Sequence, residues 1–380
     1  MSTWVLIAVI LFVAAAAMAL RTNAWRSALA EVAARPFGSS AEVPITVLVP
    51  VRNGVDELAA LLQDLHAQEH PRALIEVIVV DDHSEEPVQR MVQDMARQWP
   101  QLRYLHVGQG MGKKAAIMAG VAAAQYELIL LTDADARCAP GRVAAVAAAY
   151  QARPCDLLLL PVRTVGEGAC GAVQVEEQVA LLAALVGTWS EGRPVLANGA
   201  NMAFTRTAFE AVGGYRGDGR ASGDDVFLLQ RMRHARRTVE VALDAALWVQ
   251  VKAAPHCAEA LSQRLRWAGK MGAVRDPLMT IGSMLSLLLP WALAVFTVMA
   301  LMEQRVGDGL LRTWVLLVAA WAAWCVPLVQ VAGDVHRLAG IGPVRPIRSF
   351  LALLAFTVYA PLIAVVSRFV RPRWKGRRIR

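Results

Sequence analysis

Apolar residues along this chain fall into two patterns. Four stretches carry no charged residue at all: 2–20, 277–302, 313–333 and 349–367. A helix of about 20 apolar residues crosses a bilayer core, so each stretch is predicted to span a membrane. No basic residue precedes the apolar core of the first, which favours a retained anchor over a cleaved signal peptide. The others carry Trp291, Trp314, Trp321 and Trp324, which suits membrane helices better than buried core helices. Between the first two stretches the pattern changes. Short segments rich in Val, Ile and Leu at 45–50, 76–80, 104–107, 128–132, 157–161 and 239–249 are predicted strands. Helical stretches such as 57–68, 87–97, 115–124 and 226–234 separate them. Apolar strands alternating with helices predict a mainly parallel sheet covered on both faces.

The predicted layout is an anchor at 1–21 and an amphipathic linker at 22–41, ending in a break at Pro36, Gly38, Ser39 and Ser40. An α/β domain at 42–276, a membrane region of about three helices at 277–370 and a basic tail at 371–380 complete it.

Composition agrees with that layout. Of 380 residues, 56% are hydrophobic and only 18% charged, against about a quarter charged in soluble domains; disorder is excluded. The net charge of +8 raises the question of nucleic acid. Twelve Lys and Arg residues, from Arg21 and Arg26 to the 371–380 tail, sit beside the apolar runs. They exceed the whole surplus, so the basicity marks membrane edges and no nucleic-acid partner is expected. Five cysteines without close pairs exclude a disulfide scaffold and a CxxC metal knuckle. One conflict arises. If the central domain is cytosolic and every run crosses once, the basic tail lies outside, against the positive-inside tendency. One run is then expected to be re-entrant or interfacial, with Pro290 or Pro327 marking its break.

Candidate chemistry lies at strand ends, where ligands bind in open α/β sheets. Segment 45–50 is followed by Val51-Arg52-Asn53-Gly54, segment 76–80 by Asp81-Asp82-His83-Ser84, and segment 128–132 by Asp133-Ala134-Asp135. Neither GxGxxG nor GxxxxGK[ST] occurs, so the usual dinucleotide and P-loop readings fail. Gly112-Lys113-Lys114 opens a helix whose amides, with Lys113, suit a phosphate; a solvated Lys pair fits equally. Asp133 and Asp135 share one side of an extended segment. They suit a hard divalent cation or an Asp-rich turn capping the next helix. Ser222-Gly223-Asp224-Asp225 offers a helix cap or a general base. Gln263, Arg266 and Trp267 share one helical face, suited to a diphosphate and a sugar or to a membrane interface.

Taken in order, Pro50-Val51-Arg52-Asn53, Asp81-Asp82-His83-Ser84, Gly112-Lys113, the DxD at Asp133 and Asp135, Asp224-Asp225 and QxxRW at 263–267 resemble the membrane-bound family 2 glycosyltransferases. The resemblance covers residues 44–270. It implies a GT-A fold, the Rossmann-like nucleotide-diphospho-sugar transferase domain, flanked by transmembrane helices, and inverting transfer from a nucleotide-sugar, usually UDP-linked. Carried over by position, Asp81 or Asp82 recognises base or ribose, with Arg52 and Lys113 near the nucleotide. Asp135 with Asp133 holds Mg2+ or Mn2+. Asn198 and Asn201 line the donor-sugar pocket, Gln263, Arg266 and Trp267 close over the diphosphate, and Asp225 is the base. Asp224 replaces the Glu that commonly precedes that base, leaving both aspartates as candidates. The metal and Arg266 would stabilise leaving-group charge, while a carboxylate activates the acceptor hydroxyl.

Expected partners are the bilayer and a lipid or membrane-associated acceptor, by resemblance to ceramide and hopanoid glycosyltransferases. The alternatives are a polysaccharide synthase with partner subunits and a non-catalytic membrane scaffold. The expected location is a bacterial inner membrane, with the catalytic domain cytoplasmic.

Overall fold

The computed structural model describes residues 3–38, 42–218, 223–271, 277–302, 308–342, 345–370, 373–374 and 377–378. Ser39 and Ser40 of the expected break, Ser222, and tail residues 371, 372, 375, 376, 379 and 380 lie outside the described residues.

Helix α1 (Thr3–Ala33) leads into β1 (Ile45–Val51), α2 (Val55–His66), β2 (Ile75–Asp81), α3 (Val88–Ala96) and β3 (Leu102–His106). Next come α4 (Lys113–Ala123), β4 (Leu128–Thr132), β5 (Arg137–Cys138), α5 (Arg142–Ala152), β6 (Leu157–Leu159) and β7 (Val162–Val165). The chain continues through α6 (Gly168–Ser190), β8 (Asn201–Thr205), α7 (Arg206–Ala211), α8 (Asp224–His234), β9 (Val239–Val241), β10 (Val249–Lys252) and α9 (Cys257–Met271). It closes with α10 (Pro277–Met302), α11 (Asp308–Ala339), α12 (Pro346–Val366) and a tail ribbon of β11 (Arg373–Trp374) and β12 (Arg377–Arg378).

Seven strands form one sheet in the order β3-β2-β1-β4-β8-β6-β9, with β5-β10-β7 as a second sheet. In the large sheet only β8 runs antiparallel to its neighbours β4 and β6. Register pairs Val51 with Asp81 and Thr132 with Asn201, so the ends of β1, β2 and β4 and the start of β8 share one edge. The fold is therefore α/β with a parallel-rich sheet, as expected. The single strand expected at 239–249 is instead β9, a 3-10 turn at Ala245–Leu247, and β10. The Asp244 side chain accepts from the Ala246 N–H at 2.8 Å and turns the chain there. The strands β5, β7 and β8 lie outside the predicted set.

Both sheet faces are covered. Leu48, Ile78, Ile129 and Leu131 pack in one core with α1, α4, α6, α8 and α11. The alternate residues Val47, Val49, Val77, Val79 and Leu130 pack in another with α2, α3 and α5. This alternation is what a buried strand with two apolar faces requires.

Among the described residues, five helices are long and apolar enough to cross a membrane: the four expected and α6. In α6, Val179, Leu182, Leu185 and Val186 belong to the sheet core; that packing accounts for its apolar character. Pro290, Pro327 and Pro361 all lie inside unbroken helices, so neither Pro290 nor Pro327 marks a break. Neighbouring helices make such prolines tolerable in membranes.

At about 1.5 Å per residue, α1 and α11 exceed 45 Å, well beyond a hydrocarbon core of about 30 Å. Their surplus length enters the α/β domain, where Leu29 and Val32 of α1 meet Val331 and Val335 of α11. Arg26 Nε reaches Asp334 at 2.7 Å and Arg26 Nη1 reaches Gln330 at 2.6 Å. Arg21 and Trp25 both donate to Glu191. A Cβ on Gly187 of α6 would lie 2.2 Å from Trp25, so only glycine allows α1 and α6 this approach.

Candidate active site

The common edge of β1, β2, β4 and β8 opens into a cavity of about 760 Å³. Loop geometry there is tightly specified. Arg52 is buried, and its Nη1 donates to the carbonyls of Asp82 and His83, both at 3.1 Å. This joins the turns after β1 and β2. Asn53 and His83 take positive φ values of 55° and 57°, a conformation that costs other L-residues more.

The two neighbouring aspartates have different tasks. Both oxygens of Asp81 are spent internally, on the Ser84 N–H at 2.9 Å and the Tyr104 hydroxyl at 2.8 Å. Burial, reinforced by Asp81, raises the Tyr104 phenol above its ordinary value, so Tyr104 remains a donor. Asp82 lines the cavity and accepts from the Gly112 N–H at 2.8 Å, tying the start of α4 to the end of β2.

Lys113 occupies the centre of the site. Its Nζ lies 2.6 Å from Asp133 Oδ1 and 2.8 Å from Asp224 Oδ2, bridging the end of β4 to the first turn of α8. Burial opposes its charge, but the two carboxylates outweigh burial and the ammonium is held above its usual value. Asp133 is pushed up to about 6, first by burial in the confined cavity. Asp135 and Asp224 add to that rise against the pull of Lys113. A Cβ on Gly199 would lie 2.6 Å from Asp224 Oδ2 and 2.9 Å from Lys113 Nζ; glycine is required for this bridge. Asp225 is buried at the same edge and lines the cavity. Its Oδ1 accepts from the Val226 N–H at 2.7 Å.

Asp135 is exposed and lines the cavity beside Asp133. Two carboxylates at i and i+2 fit a divalent ion that draws its remaining ligands from substrate oxygens and water. Among the described residues no group of three or more His, Cys, Asp or Glu side chains assembles to hold a metal ion, so these two carboxylates would supply only part of the coordination.

Asn198 faces the cavity, whereas Asn201 does not. Asn201 is fully buried, and its Nδ2 donates to the Pro161 and Leu247 carbonyls at 2.7 and 2.8 Å. Its Oδ1 accepts from Arg142, which also donates to Thr132 beside Asp133. Asn201 and Arg142 therefore fix the scaffold under the DxD turn; direct contact with a ligand is closed to Asn201 because its amide is already satisfied.

Gln263, Arg266 and Trp267 of α9 line the same cavity. Sequence reasoning missed the residue that organises them. Arg264 is buried; its Nε donates to Glu177 Oε2 at 2.8 Å and its Nη1 to Gln263 Oε1 at 2.6 Å. Its guanidinium lies 4.9 Å from the Trp267 ring, a cation–π distance. The available signal was Glu176-Glu177 inside an apolar helix, since acids in such places require partners. Burial, then Arg264, lowers the Arg266 pKa, and an anion placed there would relieve that strain on its charge.

A parallel-rich sheet with a carboxylate-lined edge facing long apolar helices has the architecture of a GT-A transferase. Residues 46–177 match the family model described as Glycosyl transferase family 2, and residues 128–333, more than half the chain, match Glycosyl transferase family group 2. The chain belongs to the family 2 glycosyltransferases.

The dolichyl-phosphate beta-glucosyltransferase ALG5C of Trichomonas vaginalis is 38% identical over 104 residues, 26% of this chain and 31% of that protein. A beta-monoglucosyldiacylglycerol synthase of Nostoc sp. is 27% identical over 205 residues, 50% of this chain and 39% of that protein. The chain thus spans under half the length of these curated relatives. The mannosyltransferase PcManGT of Pyrobaculum calidifontis, solved with GDP-Man and Mn2+, shares the fold with a TM-score of 0.57 at 22% identity. That likeness covers 95% of this chain and 99% of PcManGT.

Proposed function

We propose that this glycosyltransferase moves a sugar, with inversion, from a nucleotide-sugar, UDP-linked, to a lipid hydroxyl at the cytoplasmic face of a membrane. The observation that carries this reading is one cavity containing Asp133, Asp135, Lys113, Asp225 and the α9 face, whose wall continues onto the membrane helices. Relatives named for dolichyl-phosphate and diacylglycerol glycosylation support a lipid acceptor.

In this reading Asp82, Arg52 and Lys113 hold the nucleotide end, with Asp81 and Tyr104 bracing the Asp82 loop. Asp133 and Asp135 would hold Mg2+ or Mn2+, which when bound neutralises diphosphate charge. Asn198 borders the sugar. Arg266 meets the leaving diphosphate as a half-buried cation, with Gln263 and Trp267 beside it. Asp225 accepts the acceptor hydroxyl proton. Asp224 is the weaker candidate base because its Oδ2 is already paired with Lys113 at 2.8 Å.

The test is a screen of UDP- and GDP-sugars with Mn2+ or Mg2+, scored by release of UDP or GDP and by mass spectrometry of lipid extracts. A new glycolipid is expected. Asp225→Asn is expected to lower turnover by about 10² to 10⁴, the usual scale of general-base loss. A long carbohydrate product would replace the lipid reading with polymer synthesis, for which partner subunits would be sought. Absence of any donor cleavage, with Asp225→Asn indistinguishable, would leave a membrane-anchored scaffold.

A further inference from the structure

We infer that the hydrocarbon chain of the acceptor lies inside the protein along α6, with its hydroxyl turned toward Asp225. This rests on the lipid-alcohol reading above and assigns a chain subsite to it.

Helix α6 presents two apolar faces. Val179, Leu182 and Val186 are buried against the sheet. The other face, with Val173, Ala180, Leu181 and Ala184, lines the cavity, and Ala180 is exposed there although the helix lies among other elements. Leu328 of α11 and Leu353 and Phe356 of α12 belong to the same cavity. From Val173 to Thr188, both lining residues, the helix offers about 22 Å of wall at 1.5 Å per residue. That length suits an acyl or prenyl chain, and the cavity volume falls within the ordinary range for small-molecule sites.

Charge along this wall is already matched within the protein. Glu177 pairs with Arg264, Glu176 with His336, Arg348 and Ser349, and Arg21 with Glu191. The surface left over is mainly apolar and loses free energy when wetted. A hydrocarbon relieves that cost. A growing glycan would instead bury hydroxyls against groups that cannot pair with them. Continuity of the same cavity with Asp225 places the polar end of such a chain at the base.

The test uses the full chain in phosphatidylcholine vesicles with a diacylglycerol whose acyl chain carries a diazirine. After irradiation, label is expected on residues 173–188 and should disappear with excess dioleoylglycerol. Label confined to the outward residues Leu288, Val358 and Leu362 would overturn the inference. Ala180→Trp fills the wall and is expected to raise the KM for dioleoylglycerol at least tenfold, with donor hydrolysis by water unchanged. An unchanged KM with hydrolysis intact would overturn it too. If that variant does not fold, the label map on the unaltered protein decides alone. Label on α6 without any transfer would leave the chain site standing and remove the enzyme reading; transfer with label only on outward faces would do the reverse.

Discussion

Lys113 stands between two carboxylates, and its loss would leave Asp133 and Asp224 facing each other across the site. Lys113→Met is expected to lower kcat/KM by about 10²-fold, because like charges no longer share a cation and the donor diphosphate loses a partner. Steady-state kinetics across donor concentrations check this. At this scale the sequence revealed residue types better than their tasks. The DxD, the Asp224-Asp225 pair and the α9 face all line one cavity. Asn201 stood out as a site residue, yet its amide is consumed by the Pro161 and Leu247 carbonyls. Arg264 occupies an unspecified position of the QxxRW pattern, and only a partner 87 residues away reveals its role. No local spacing encodes a pair of that separation.

Helix α9 is held to α6 mainly through Arg264 and Glu177, whose side chains are each only 9% exposed. Glu177→Gln removes one partner of a buried ion pair, a change that costs about 3–5 kcal/mol, and it frees Gln263 and Trp267 to reorient. Thermal melting and donor KM should both register it. At the entry to β1, His70 is buried with Nε2 3.0 Å from the Val43 carbonyl. Burial lowers its pKa below 6.5, against the raising effect of that carbonyl. The unfolded chain therefore binds more protons in this window, and stability falls as pH drops below about 6.5. Melting temperature against pH should show that slope, and His70→Gln should flatten it. Strands β1, β2 and β4 were legible because continuous Val, Ile and Leu runs mark burial on both faces. The short β5 and β7 and the antiparallel β8 carry no such run. Helix α6 escaped notice because its two glutamates interrupt an otherwise apolar segment, although those glutamates are its links to α9, α11 and α12.

Whole-molecule stability draws on α1 as well as on the sheet, because the two share one buried core. Leu29 is fully buried in the same core as Ile129 and Phe204, so Leu29→Ala is expected to cost about 2–5 kcal/mol. A chain beginning at residue 42 would lack this plug entirely and should aggregate where the full chain remains monodisperse in detergent; size-exclusion chromatography checks both variants. The long apolar runs were read directly from composition, but the extension of α1 and α11 into the α/β core was not. Helix length follows from the residues, whereas the neighbour that receives the surplus is a tertiary fact. Those two continuous helices act as stilts rather than as a leash. A site carried on a flexible linker could sample many heights above the bilayer; one built on rigid extensions keeps a single height. On the proposed lipid-acceptor reading, encounter with a membrane-dissolved acceptor becomes a search in two dimensions, and turnover should vary with bilayer thickness as the hydroxyl rises toward or sinks below the reach of the proposed base Asp225.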